Sequence, residues 1–160
     1  LKSPEELARP LVYLMGRGDH EQLMSIDDSD SLKAAVDRFW LLNIRNKSDA
    51  KTILRLYYER VEEANKRFSN FKEGWKTDRG LVFILFGSPI SVQEIHDTET
   101  WHYSYNRNNS RYNYEFKKNR FKSEFYPFDY YVLQRDAEYY NLQKQQVNLW
   151  LSGQIIYRKL

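Results

Sequence analysis

The sequence predicts an α+β domain: N-terminal helices, a central antiparallel β-meander and a C-terminal helix packed on the sheet. Three observations carry this. Apolar residues recur at helical spacing through Ile53, Tyr57, Val61, Ala64 and Phe68, which is one buried helix stripe. From Val92 onward the period changes to two, with Trp101, Tyr103 and Tyr105 on one face and His102 and Ser104 on the other, as strands require. Between these regions, Leu81 to Phe86 is an uninterrupted apolar run closed by Gly87 and Pro89. Its length and Val/Ile/Phe content predict a strand buried on both faces, at the centre of the sheet.

The helical half has its own punctuation. Ser3-Pro4-Glu5-Glu6 has the form of a capping box with proline at the first helical position. Gly16 and Gly18 break the chain, and Asp19 with Gln22 suggests the cap of a second short helix. The acidic run Asp27 to Asp30 suits the positive end of a third helix, whose face is Leu32, Ala35, Val36, Phe39 and Asn43, with Trp40 beside it. Ser48 or Asp49 is the expected cap of the fourth helix, with Glu63 and Arg67 as an outer pair.

In the second half, Asp97-Thr98-Glu99-Thr100 reads as a turn, and Asn106 to Ser110 as a polar loop. Tyr112, Tyr114 and Phe116 share a face, and Tyr130 to Leu133 makes a last strand after Pro127. Asp136 caps a closing helix that Gly153 stops, leaving Ile155-Ile156-Tyr157 for a short edge strand. One domain is expected over 1–160: mainly helical over 1–70, sheet over 71–135, then the closing segment over 136–160. The chain reads as excised from a longer protein.

Composition narrows the function classes. With 160 residues the chain can bury one core. Lys and Arg number 25 against 22 Asp and Glu, a mild excess that argues against a nucleic-acid clamp. The absence of cysteine removes disulfides, thiolate metal sites and cysteine nucleophiles. No stretch reaches the roughly 20 apolar residues of a membrane helix. Neither cofactor nor metal is called for. The 13 Tyr, 9 Phe and 4 Trp suit strands or a binding surface.

Four patterns invite a functional reading. Arg79-Gly80-Leu81-Val82-Phe83-Ile84-Leu85-Phe86 approaches an RNA-recognition strand, but Leu81 stands where a stacking ring belongs. Arg107 to Lys122 interleaves basic and aromatic residues, as single-strand nucleic-acid binders do. An antiparallel strand with rings inward and charges in water explains it equally well. His96, Asp97, Glu99 and His102 gather at one expected hairpin and have metal-ligand chemistry. Thr77-Asp78-Arg79 could hold a base and an anion clamp, yet no elbow, zinc or phosphate motif accompanies it. A structural role is simpler: Gly74 frees the backbone, Trp75 anchors the loop, Thr77 and Asp78 accept N–H groups, and Arg79 pairs with an acid or with loop carbonyls.

Gly74-Trp75-Lys76-Thr77-Asp78, then Arg79-Gly80, the apolar run and Gly87-Ser88-Pro89, resembles the GWxTD domain family of bacterial proteins. Phe39-Trp40, the Tyr58-to-Phe68 stretch with Arg60, Val61, Ala64 and Asn65, and Trp101-His102-Tyr103 are similar to it too. The resemblance implies a C-terminal module of a larger periplasmic, cell-envelope or secreted protein, and it carries over no catalytic residue. A thinner likeness, through Thr77, Val82, Gly87-x-Pro89 and Trp101-x-Tyr103, is to small outer-membrane assembly lipoproteins. In those the run before Gly-x-Pro is helical, whereas a strand is expected here.

The expected function is therefore a non-enzymatic interaction or structural domain, with a protein or companion domains as partner and no nucleic acid. Its signature loop is Gly74, Trp75, Thr77, Asp78, Arg79, Gly80, Gly87 and Pro89. A glycan- or peptide-binding module using Trp101, Tyr103, Tyr105, Tyr112 and Tyr114 is the alternative. A hydrolase-like enzyme built on Asp78, Arg79 and the two hairpin histidines comes third.

Overall fold

The computed structural model describes residues 2–105, 112–119 and 129–157. The chain forms two compact units, one of Leu1–Glu59 with Lys144–Leu160 and one of Arg60–Gln143. The architecture is α+β: among the described residues, N-terminal helices, a four-stranded antiparallel sheet and a C-terminal helix.

The first unit is helical. Helix α1 (Pro4–Ala8) opens with the expected capping box of Ser3 and Glu6, and Pro10 continues it as a 3-10 turn over Arg9–Tyr13. Helix α2 (Arg17–Met24) is capped by Gly16, so Asp19 lies inside its first turn, where its charge favours the helix dipole. Asp28 caps α3 (Ser29–Asn43) by accepting from Ser31 N–H. Helix α4 (Lys47–Phe68) starts earlier than expected, because the Asn46 side chain takes the N–H groups of Ser48 and Asp49. An amide at that position does what Ser48 or Asp49 was expected to do. Trp40 of α3, Tyr57 of α4 and Trp150 are almost fully buried, and Tyr57 meets both indoles edge-on at 5.6 and 5.3 Å. The Tyr57 hydroxyl donates to Pro10 O at 2.5 Å and that of Tyr58 to Leu7 O at 2.7 Å. The segment Gln154–Tyr157 is a 3-10 turn after Gly153 and not the expected edge strand.

The second unit holds the main correction. Leu81 to Phe86 lies in a helix, α5 (Asp78–Phe86), and is not a central strand. Each residue from Gly80 to Phe86 is buried, so the run carries no amphipathic period, and a short apolar stretch reads alike in both states. Its ends decide the matter. Thr77 caps the first turn, Asp78 supplies negative charge at the positive end, and Gly87 leaves the helix at φ 82. The basis for separating the chain from the outer-membrane assembly lipoproteins, a strand before Gly87-x-Pro89, goes with it.

Strands β1 (Ser91–Ile95), β2 (Thr98–His102), β3 (Asn113–Lys118) and β4 (Tyr131–Leu133) pair in chain order, all antiparallel. The β1–β2 turn is His96-Asp97, tighter than the expected one, with His96 at φ 52. Thr98 to Thr100 are therefore strand residues. Helix α6 (Ala137–Leu151) is capped by Asp136 as expected. Its Tyr139 meets Tyr114 of β3 edge-on at 5.9 Å, which seats its first turn on the sheet. At the end of α4, Phe68 packs against Phe83 and Trp101. Arg67 lies over the rings of Phe68 and Phe83, instead of pairing with Glu63.

Candidate functional site

The signature turn is built by backbone meeting backbone. Gly74 opens a 3-10 turn (Gly74–Lys76) that lies against the last turns of α4. A Cβ on Gly74 would overlap the Ala64 carbonyl, and one on Gly80 would overlap the Gly74 carbonyl. Neither glycine has positive φ, so close approach and not backbone freedom requires them. The Gly74 N–H donates to Ser69 Oγ and the Trp75 N–H to Asn65 Oδ1, both at 2.9 Å. Thr77 Oγ1 donates to Gly74 O at 2.7 Å and accepts from Gly80 N at 3.0 Å. One hydroxyl thus closes the turn and starts the helix.

Asp78 and Arg79 are drawn into two separate ion pairs. The Asp78 carboxylate accepts from both terminal nitrogens of Arg135, at 2.9 and 3.2 Å, and from Leu133 N–H at 2.8 Å. This ties the start of α5 to the end of β4, and the hydrogen bond holds the Arg135 guanidinium above its usual range. The Arg79 guanidinium lies 3.8 Å from the Tyr131 ring centre and 5.2 Å from that of Phe68. It faces the buried Glu99 at 3.7 Å, and Glu99 Oε1 also accepts the Trp101 indole N–H at 2.6 Å. Neither network includes a histidine.

Gly87 and Tyr103 form a second locus at the other end of α5. The Tyr103 hydroxyl donates to Gly87 O at 2.6 Å, while Arg60 donates to Ile84 O at 3.0 Å and fills the space a Gly87 side chain would need. A cation on the last carbonyls complements the helix dipole. Burial lowers the Arg60 pKa and pushes that of Tyr103 well up. Pro89 is half-buried just before β1.

The sheet rings divide by exposure. Trp101 and Tyr114 are buried, Tyr103 and Tyr112 are half-buried, and Tyr105 is 85% exposed. Phe86, Tyr103 and Tyr114 contact one another at centroid distances of 4.8–6.1 Å. A continuous row of exposed rings is not what these described residues make. The hairpin histidines separate as well: His96 is exposed at the turn, and His102 lies at the far end of β2, opposite Ser91. His102 is buried, with Nδ1 3.1 Å from Asn113 Oδ1 and Nε2 without a hydrogen-bond partner among the described residues. The RNA-strand likeness fails on geometry, since Phe83 and Phe86 sit in a buried helix. Of the basic-aromatic segment, Arg107, Arg111, Arg120, Phe121 and Lys122 lie outside the described residues. Lys117 is exposed, and Lys118 pairs with Asp129 at 3.2 Å.

Sequence reasoning anticipated an acidic partner for Arg79 but missed Glu99, taken for a turn residue, and Arg135, which stands 57 positions from Asp78. Local pattern holds no signal for a partner that distant. Comparison with curated proteins and with solved structures found no match. A model of the GWxTD domain matches residues 1–152. With nearly the whole length covered, and the signature turn at the junction of α4, α5 and the sheet, the chain belongs to the GWxTD domain family.

Proposed function

We propose that this domain is a non-enzymatic interaction module of an exported bacterial protein, joined to a second protein or to companion domains of its own chain. The compartment rests on what the family resemblance implies. The observation that carries the interaction reading is the edge of the sheet. Among the described residues β1 pairs only with β2, and Val92 and Ile95 are 51% and 55% exposed, with Ile90 beside them also exposed. An edge strand with unpaired backbone groups and apolar side chains is a template for strand addition. The signature residues support the same reading, because their polar groups are spent on internal ties. A glycan platform draws less support, since Trp101 and Tyr114 are buried.

The test is a photo-crosslinking residue placed at Val92 in the full-length protein in its native cells. A discrete adduct, weakened by Ile95→Lys and missing from a control at Glu21, is the expected result. Loss of the adduct at position 92, or identical adducts from both positions, would sink the proposal.

A further inference from the structure

A second surface, independent of the β1 edge, lies in the first unit between α3 and α4. There the apolar Trp40, Leu41, Ala50 and Leu54 line a groove of about 660 Å3 together with Asp37, Lys47 and Lys51. We infer that this groove docks an amphipathic helix of a partner protein, apolar on the seated face and acidic along the side that meets Lys47 and Lys51.

The floor is rigid. Trp40 is held edge-on by Tyr57 and Tyr58, and its indole N–H donates to the Tyr58 hydroxyl at 3.4 Å. Leu41, in the last turn of α3, lines the groove and is still 52% exposed, and its chain neighbour Leu42 is 75% exposed. Leaving the Leu41 side chain in water forgoes the gain from burying its apolar surface. The groove is open to solvent, so a small apolar ligand would stay partly wet. A third helix instead turns its polar face outward and its leucine stripe down, the usual way of filling a cleft between two helices.

Charge selects the helix. Lys47 and Lys51 are exposed and one helical turn apart on α4, a like-charge spacing that mildly destabilises a free helix. Neither pairs with an acid among the described residues, while Asp37, which also lines the groove, is bound to Lys33. Acidic side chains on a docked helix would relieve that repulsion. A second copy of this chain fits less well. A two-fold contact through the same patch brings the lysines of both copies to one interface.

The probe is a fluorescein-labelled helical peptide of about 14 residues, with leucines at i, i+3, i+4 and i+7 and glutamates flanking the stripe. Its twin carries lysines in place of the glutamates. Saturable anisotropy binding is expected for the acidic peptide, at least tenfold tighter than for the twin and weakening as salt rises. Leu41→Gln, at an exposed position, should reduce affinity at least fivefold. Lys47→Glu with Lys51→Glu should reverse the preference between the twins. Equal affinity for both peptides, binding untouched by Leu41→Gln, or failure of the charge swap would overturn the inference. So would saturable binding of dodecanoate without peptide binding, or a sedimentation dimer dissolved by Leu41→Gln, each of which hands the groove to another occupant.

Discussion

The residues of the signature turn do different physical work, and substitution should separate them. Gly80→Ala drives a methyl group into the Gly74 carbonyl, a backbone group that cannot swing aside. A loss of about 3 kcal/mol in a urea titration is expected, at the upper end of overpacking costs. Asp78→Asn keeps an acceptor for Leu133 N–H but abolishes the two-point pair with Arg135. At a partly buried site this should cost about 2–3 kcal/mol. An unchanged melting temperature would show that the Asp78 pair contributes nothing to stability. Lys76 is the permissive position. Its ammonium reaches Glu73 at the surface, and Lys76→Ala should stay within about 0.5 kcal/mol of the parent.

Two helices carry the predictions at the next scale. Phe68, at the end of α4, fills the space between Phe83 and Trp101, and Phe68→Ala should cost about 3–5 kcal/mol. A loss under about 1 kcal/mol, the scale of an exposed site, would contradict that packing. Thr77→Ala removes both the cap of α5 and the bond that closes the preceding turn, for about 1–2 kcal/mol; Thr77→Ser should recover most of it. These two helices also mark what the sequence discloses. The α4 stripe, Ile53 to Phe68, was legible because one face is wet and the other dry, which prints a period on the chain. Residues 81–86 are dry all round and print none, so Val82 and Ile84 read as strand formers. The cue was in view at Thr77-Asp78 and Gly87, a cap and a stop with nine helical residues from Asp78 to Phe86 between them. Glu99 and Arg135 had no cue, because their partners are fixed by strand register and chain return. The groove residues Leu41 and Lys51 carry no cue either, because only the folding of α3 against α4 brings them to one groove.

For the molecule as a whole, buried phenols set an alkaline limit. Burial raises the pKa of Tyr57, Tyr58 and Tyr139 above the ordinary value of 10.0. The unfolded chain then releases those protons first as pH climbs. Stability from these groups is intact below about pH 10 and is lost above it, by about 1.4 kcal/mol per pH unit for each phenol. Urea midpoints should hold level from pH 8 to 9.5 and fall steeply by pH 11, less steeply in Tyr57→Phe. A flat profile across that range would contradict the burial of these hydroxyls. The Asp78–Arg135 tie, which spans 57 positions, has a consequence in time. At synthesis rates of about 5–20 residues per second, the carboxylate waits roughly 3–11 s for its guanidinium to be made. Throughout that interval the Thr77 cap can form while β4, its strand partner at Leu133, does not yet exist. A nascent chain stalled before Arg135 should therefore be cut by protease near the signature turn, and one stalled well past Trp150 should not.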